Sequence, residues 1–349
     1  MKKYFWSLFL ILLMTPSVAN AHEQVRESKK NRIDNYETIT ISQSGSLFYS
    51  VTNEIITSVE NVGANLSFIG RANVGLEKIL DYSGKEKLST KTDYLYSISI
   101  KTIEKNFADY IYSDAISSKI KSDLIIISEL TANLYSIQIG DVIHLIGMNG
   151  EPVEIIVGGI VPDAELGWFE GVVNKELGFK LGIYRNIQAI IWDNKITENH
   201  LIEIYRNIKY KKVRVSDKNS TPNKNWVLPT ALVKEKFGDF QIKEKDGTWI
   251  ITEPAWREAN IERLEMPIIG RATCHKLMWE PLRGVLNQIE AEGLGYTLSK
   301  EEFRTSGGCY APRRISRFDA GGSISRHAWG IAIDINTKSG YCLLYTSDA

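Results

Sequence analysis

The alternation of apolar and polar positions divides the chain into a short apolar leader, a long strand-rich stretch and a shorter mixed stretch. The leader runs from Tyr4 to Met14 behind Lys2 and Lys3 and ends at Ala19-Asn20-Ala21. It is too short to span a bilayer, and with its small-x-small end it predicts a signal peptide over residues 1–21, an uncleaved anchor being the alternative. Residues 22–37 are polar and aperiodic and read as a flexible spacer. From Thr38 to residue 216, Ile, Val, Ser, Tyr and Thr dominate, which predicts a strand-containing domain with some helices. Its clearest unit is a hairpin, Val142–Ile146 and Val153–Val161, joined through Asn149-Gly150, a pair suited to the positive φ angles of a tight turn. Ahead of it Leu124–Ile127 predicts a short strand, and Ser128–Leu134 one or two helical turns with Ser128 and Glu129 at the start.

Asp217–Asn225, with Ser220-Thr221-Pro222-Asn223, is the best linker signal, and the boundary is set over residues 217–235. Beyond it, Phe237–Ile250 reads as paired short strands around Lys245-Asp246-Gly247. His275–Ala291 carries the apolar stripe of a helix, with Pro281 either kinking it or sitting in its first turn, and Gly293 and Gly295 end it. From Gly330 onward Ile331, Ile333 and Ile335 alternate with Gly330, Ala332, Asp334 and Asn336. This predicts a strand with one core face and one cleared face ending in a carboxylate.

Charge narrows the function classes. Lys plus Arg and Asp plus Glu both total 42 in 349 residues, so no global field favours nucleic acid. No later stretch reaches the roughly 20 apolar residues of a membrane helix, so no stable membrane span is expected after signal cleavage, and the expected location is periplasmic or secreted. In that setting Cys274 and Cys309 form a disulfide or remain two buried thiols, and Cys342 is left over. Of the histidines past the spacer, His144 and His200 sit in a strand and in a helical stretch over 198–208 and read as structural or surface residues. The Lys209–Arg214 charge run reads as a solvated edge.

Two resemblances add to this reading. The order strand, short helix, Gly140-Asp141, hairpin over Leu124–Val161 resembles the extracytoplasmic domain of bacterial ABC transporter permeases of the lipoprotein-releasing and macrolide type, in architecture only. Near the end, Arg313, Arg314, Arg317 and Arg326 crowd together, an arrangement suited to a substrate carboxylate. There Ser325, His327, Gly330, Ala332 and Asp334 match the pattern SxHxxGxAxD of the zinc D-alanyl-D-alanine carboxypeptidases, the VanY-like peptidases of peptidoglycan stem peptides. Gly308-Cys309-Tyr310 to Arg313 is similar to the segment those enzymes place just upstream. The resemblance implies zinc held by His327 and Asp334, with Arg313 and Ser325 at the substrate carboxylate and Arg314 the competing arginine. A catalytic zinc takes three protein ligands of this kind and keeps an open position.

In that family the third ligand and the general base follow later, and His275 does not match the late motif. The expectation is therefore a fragment: a zinc peptidase-like domain over 236–340, incomplete at its C-terminus, and a non-native tail over 341–349. The fold class expected is α+β, a strand-rich N-terminal domain followed by a C-terminal zinc D,D-peptidase (hedgehog-like) domain. The expected function is a metallopeptidase acting on peptidoglycan stem peptides, as carboxypeptidase or endopeptidase. The alternatives are a non-catalytic cell-wall binding protein and an envelope assembly protein whose N-terminal domain contacts a protein partner.

Overall fold

The computed structural model describes residues 38–42, 56–183, 187–192, 199, 203, 214–216, 228–245, 248–301, 309–315 and 322–334. The leader, the spacer, most of the 198–208 stretch with His200, residues 209–213 of the Lys209–Arg214 run and residues 217–227 lie outside them. Among the described residues no helix is long and apolar enough to cross a membrane.

The N-terminal part is built from β1 (Thr38–Ser42), β2 (Asn65–Leu80), β3 (Glu86–Ser89), β4 (Tyr96–Ile103), β5 (Ile125–Ser128), β6 (Val142–Ile146), β7 (Pro152–Val161), β8 (Gly171–Asn174), β9 (Ile187–Trp192) and β10 (Arg214–Ser216). Four short helices lie between them: α1 (Lys105–Ile111), α2 (Asp114–Lys121), α3 (Glu129–Tyr135) and α4 (Lys175–Lys180). The strands run in the order β10-β1-β9-β2-β4-β8-β5-β7-β6, and β6 pairs back onto β2. That last pairing closes a six-stranded barrel. The long strand β2 makes closure possible by changing partners along its length: β9 over Asn65–Gly70, β4 over Gly70–Leu76, β6 over Gly75–Leu80. At the two handovers a Cβ would lie 2.6 Å from Thr102 Oγ1 (Gly70) and 2.5 Å from Leu95 Cδ1 (Gly75), so the sheet bends where no side chain fits.

Leu76, Ile98, Ile100, Ile125, Ile127, Ile143 and Leu145 fill one core, and Ile126 and Val172 pack with Phe107 and Ile120 in a second. Successive residues of β5 thus enter opposite cores, which is why Ile125–Ile127 is an unbroken apolar run rather than an alternating one. The expected hairpin is present, with Val142 opposite Ile156 and Ile146 opposite Pro152. Its turn holds Gly150 at φ +83°. The expected strand and helix before it are β5 and α3, and the Ser128 hydroxyl accepts from Thr131 N at the helix start.

The C-terminal part contains α5 (Thr230–Phe237), β11 (Ile242–Glu244), β12 (Ile250–Thr252), α6 (Pro254–Asn260), β13 (Ile261–Met266), β14 (Gly270–His275) and α7 (Trp279–Ala291). Two expectations are corrected here, and one hairpin is added. Residues 230–235, expected as linker, and Phe237, expected in a strand, belong to α5, because Ala231, Leu232, Val233 and Lys234 are buried. The β13–β14 hairpin was not foreseen, since Glu262, Arg263, Leu264 and Glu265 are exposed and hide its alternation. Residues 331–334, read as a strand, have no ladder partner among the described residues, although Ile331 and Ile333 do pack into the core. Gly330 sits at φ +69° and turns the chain before a strand is established. The α7 helix follows a single 3₁₀ turn, with Pro281 in its first turn, where a missing N–H costs nothing.

Polar contacts join the barrel to this part. Leu95 and Ile242 exchange backbone hydrogen bonds of 2.9 and 2.8 Å. Lys234 of α5, 1 % exposed, places its ammonium 2.7 Å from Glu170 Oε1 and 3.5 Å from Asp239 Oδ2. It also donates to Ser97 O and to Tyr135 Oη, and Tyr135 donates to Asp239. Burial of a lysine is tolerated here because every proton of the ammonium has an acceptor.

Candidate functional site

The site is assembled on a small sheet that the strand labels only partly describe. Ile250 N donates to Pro312 O and Arg314 N to Thr248 O, which lays residues 311–315 alongside 248–252. Ser325 N donates to Arg313 O and Ala311 N to His327 O, which adds residues 323–327 on the far side. A 3₁₀ turn, Arg326–Trp329, then leads to Gly330 and Asp334. The Ser325 hydroxyl starts the turn by accepting from His327 N at 3.3 Å. Arg326 anchors it from outside, donating to Leu228 O with its guanidinium 5.7 Å from the Trp329 ring centroid. Trp329 Nε1 donates to Gly238 O at 3.0 Å.

This framework brings His327 and Asp334 together, with Nε2 of the one 3.5 Å from Oδ1 of the other. His327 is 3 % exposed. Its other ring nitrogen, Nδ1, lies 3.1 Å from the carbonyl oxygen of Cys309. A carbonyl only accepts, so Nδ1 carries a proton donated to it, and Nε2 is the nitrogen that faces Asp334. Cys309 is itself held by a disulfide to Cys274, with the two Cα atoms 4.9 Å apart. Its role through a backbone carbonyl was not legible in the sequence, because any residue type supplies the same oxygen. The hydrogen bond from His327 holds the Asp334 carboxyl below the usual carboxylate range; burial works against this, and the charges of His327 and Arg313 reinforce it.

Arg313 is therefore the arginine whose charge reaches the pair. Arg314, the competing choice, is committed elsewhere: it forms an ion pair with Glu244 and donates to Gly322 O at 2.6 Å. Arg317 lies outside the described residues. Gly330 does more than clear space, since a Cβ there would lie 2.7 Å from His275 N, which donates to Gly330 O at 3.0 Å.

His275 does not join the pair. Its Nδ1 accepts from Leu277 N at 3.2 Å, so Nε2 bears the proton and donates to Phe237 O at 3.1 Å. Burial lowers its pKa and keeps it neutral. Both nitrogens are thereby occupied in fixing α5 and the turn before α7. His144, also read as structural, lies in β6 with Nδ1 3.3 Å from Glu154.

The donor set suits a metal of zinc's kind: an imidazole whose Nε2 would give up its proton on binding, a carboxylate beside it, and a carbonyl that orients the ring. Among the described residues no group of three or more His, Cys, Asp or Glu gathers at one point, so the pair stands as two donors. Compared with known proteins, the chain matches no protein-family model and no curated protein.

Proposed function

We propose that the chain is a zinc-dependent peptidase of peptidoglycan stem peptides, exported by its leader, with a C-terminal domain of the hedgehog-like layout. The observation that carries this is His327 Nε2 turned onto Asp334 Oδ1 at 3.5 Å while Nδ1 is held by Cys309 O. A histidine whose far nitrogen is fixed by a carbonyl, next to a carboxylate, is the arrangement metal ligands adopt. Bound zinc supplies Lewis acidity toward a peptide carbonyl. His327 and Asp334 would hold it, and the third ligand and general base are assigned outside the described residues. Arg313, close enough to lower Asp334, is the cation placed to receive a substrate carboxylate. Ser325 lies opposite Arg313 across the backbone bond between them and keeps the turn bearing His327 in place.

The test is zinc content and muropeptide release for the native chain and for His327→Ala. Zinc bound by the native chain and lost in the variant, with hydrolysis following zinc, supports the proposal. Zinc bound without hydrolysis, in a chain extended to carry the family's late ligand and base, favours the non-catalytic cell-wall binder. Equal zinc in both proteins overturns the site.

A further inference from the structure

The segment Thr248–Thr252 buries Thr248, Ile250 and Thr252, while Trp249 and Ile251 are 49 % and 40 % exposed. The alternation leaves these two large apolar side chains facing solvent on the same side of the strand. The register indicates what they face. Trp249 pairs with Arg313, and Arg314 with Ile324, which sets Ser325 opposite Arg313 on the other side. Directly paired residues share a face, so Trp249, Arg313 and Ser325 form one row across three strands. Ile250, Tyr310 and Ile324 point the other way and pack together in the core.

Next to this row opens a cavity of about 490 Å³, whose lining includes Lys245, Trp249, Ile251, Arg257 and Tyr310. Among the described residues that line it none is acidic. Lys245 and Arg257 are both exposed, and the Arg257 guanidinium lies 5.9 Å from the Tyr310 ring centroid. An apolar wall bordered by these two cations complements an anionic group carried on an apolar stem.

We propose that this cavity is a substrate subsite for a carboxylate-bearing peptide residue, an inference that rests on the peptidase reading and specifies its substrate. Adjacent strands lie about 4.8 Å apart, so Trp249 and its partner Arg313 are separated by about that distance. An extended peptide covers it in about two residues. The preferred ligand is thus a peptide at least that long, bound at one end by Arg313 and at the other by Trp249, Lys245 and Arg257.

The experiment titrates the full chain with an acidic tetrapeptide and with the same peptide amidated at its side-chain carboxylate, following binding by calorimetry. Trp249→Ala and the double variant Lys245→Ala/Arg257→Ala change exposed side chains, and circular dichroism checks that each is folded. The acidic peptide is expected to bind the native chain at least tenfold more tightly than the amidated one, and to lose about that factor in each variant. Equal affinity for the two peptides, no binding to the native chain, or binding unchanged by Trp249→Ala overturns the subsite. Zinc is measured on the same samples: Trp249-dependent binding in a chain that takes up no zinc sinks the metallopeptidase reading and leaves the subsite standing.

Discussion

Lys234→Met tests whether the barrel and the C-terminal part are joined by a satisfied buried charge. The native ammonium is fully enclosed, 2.7 Å from Glu170 and 3.5 Å from Asp239. Methionine matches the length of the side chain but leaves two buried carboxyls facing each other without a cation. Removing one partner of such a group costs about 3–5 kcal/mol, against a total stability of about 5–15 kcal/mol for a domain. The pH dependence gives a second, sharper readout. Asp239 already lies above the ordinary carboxylate range, first through burial and then through Glu170, with Lys234 pulling it down. Without Lys234 it rises further, so the folded variant binds a proton that the unfolded chain releases. Stability of the variant therefore increases as the pH falls from 7 toward the ordinary carboxylate value, by up to about 1.4 kcal/mol per pH unit. Urea unfolding at pH 7 and pH 5 measures both quantities. A triple variant, Lys234→Met/Glu170→Met/Asp239→Leu, should recover most of the loss, because a buried ion cluster replaced by apolar side chains is often neutral. Equal stability of native and Lys234→Met proteins at pH 7, or a loss identical at pH 5 and 7, refutes the reasoning.

Other consequences are separable. The Cys274–Cys309 bridge closes a loop of sequence separation 35; chain entropy gives it about 4 kcal/mol, so Cys274→Ser/Cys309→Ser should unfold at markedly lower urea. The same variant should weaken zinc binding by about 10- to 100-fold by loosening the carbonyl that orients His327, and unchanged zinc affinity in the folded variant would remove that link. Gly330→Ala should cost about 1–3 kcal/mol, from the positive φ and the approach to His275 N, as read by thermal unfolding. His275→Gln should lower stability while leaving zinc stoichiometry unchanged, and loss of zinc would show that His275 was wrongly excluded. In alkali, Lys234 matters again: burial opposes its charge, but Asp239 and Glu170 more than offset this and raise its pKa. Its contribution is fully present below about pH 10 and lost as the pH rises through the raised value. Tyr135, raised mainly by burial, adds to that loss, so a stability plateau extending past pH 12 would contradict the buried cluster.

Local patterns were the most legible part of this protein. The β6–β7 hairpin, β5 with α3, and α7 follow from turn residues, caps and apolar periodicity within a few positions of each other. His327 and Asp334 were selected by spacing, and Ser325 and Arg313 with them. Elsewhere local signals misled. The alternation after Gly330 reads as a strand, yet the same small residue that clears space also permits the left-handed turn that interrupts it. The charged face of β13 hid a hairpin, and a run beginning at Thr230 looked like linker because its anchor is a lysine.

By itself the sequence selected the residues proposed to carry chemistry, since motif spacing and residue type are local properties of the chain. The tertiary structure decided how they are held. Closure of the barrel by β6 onto β2, the burial of Lys234 between Glu170 and Asp239, and the Cys309 carbonyl that sets the His327 tautomer all join residues remote in sequence. Such contacts depend on packing and on backbone oxygens common to every residue, and neither leaves a mark on a single stretch of sequence.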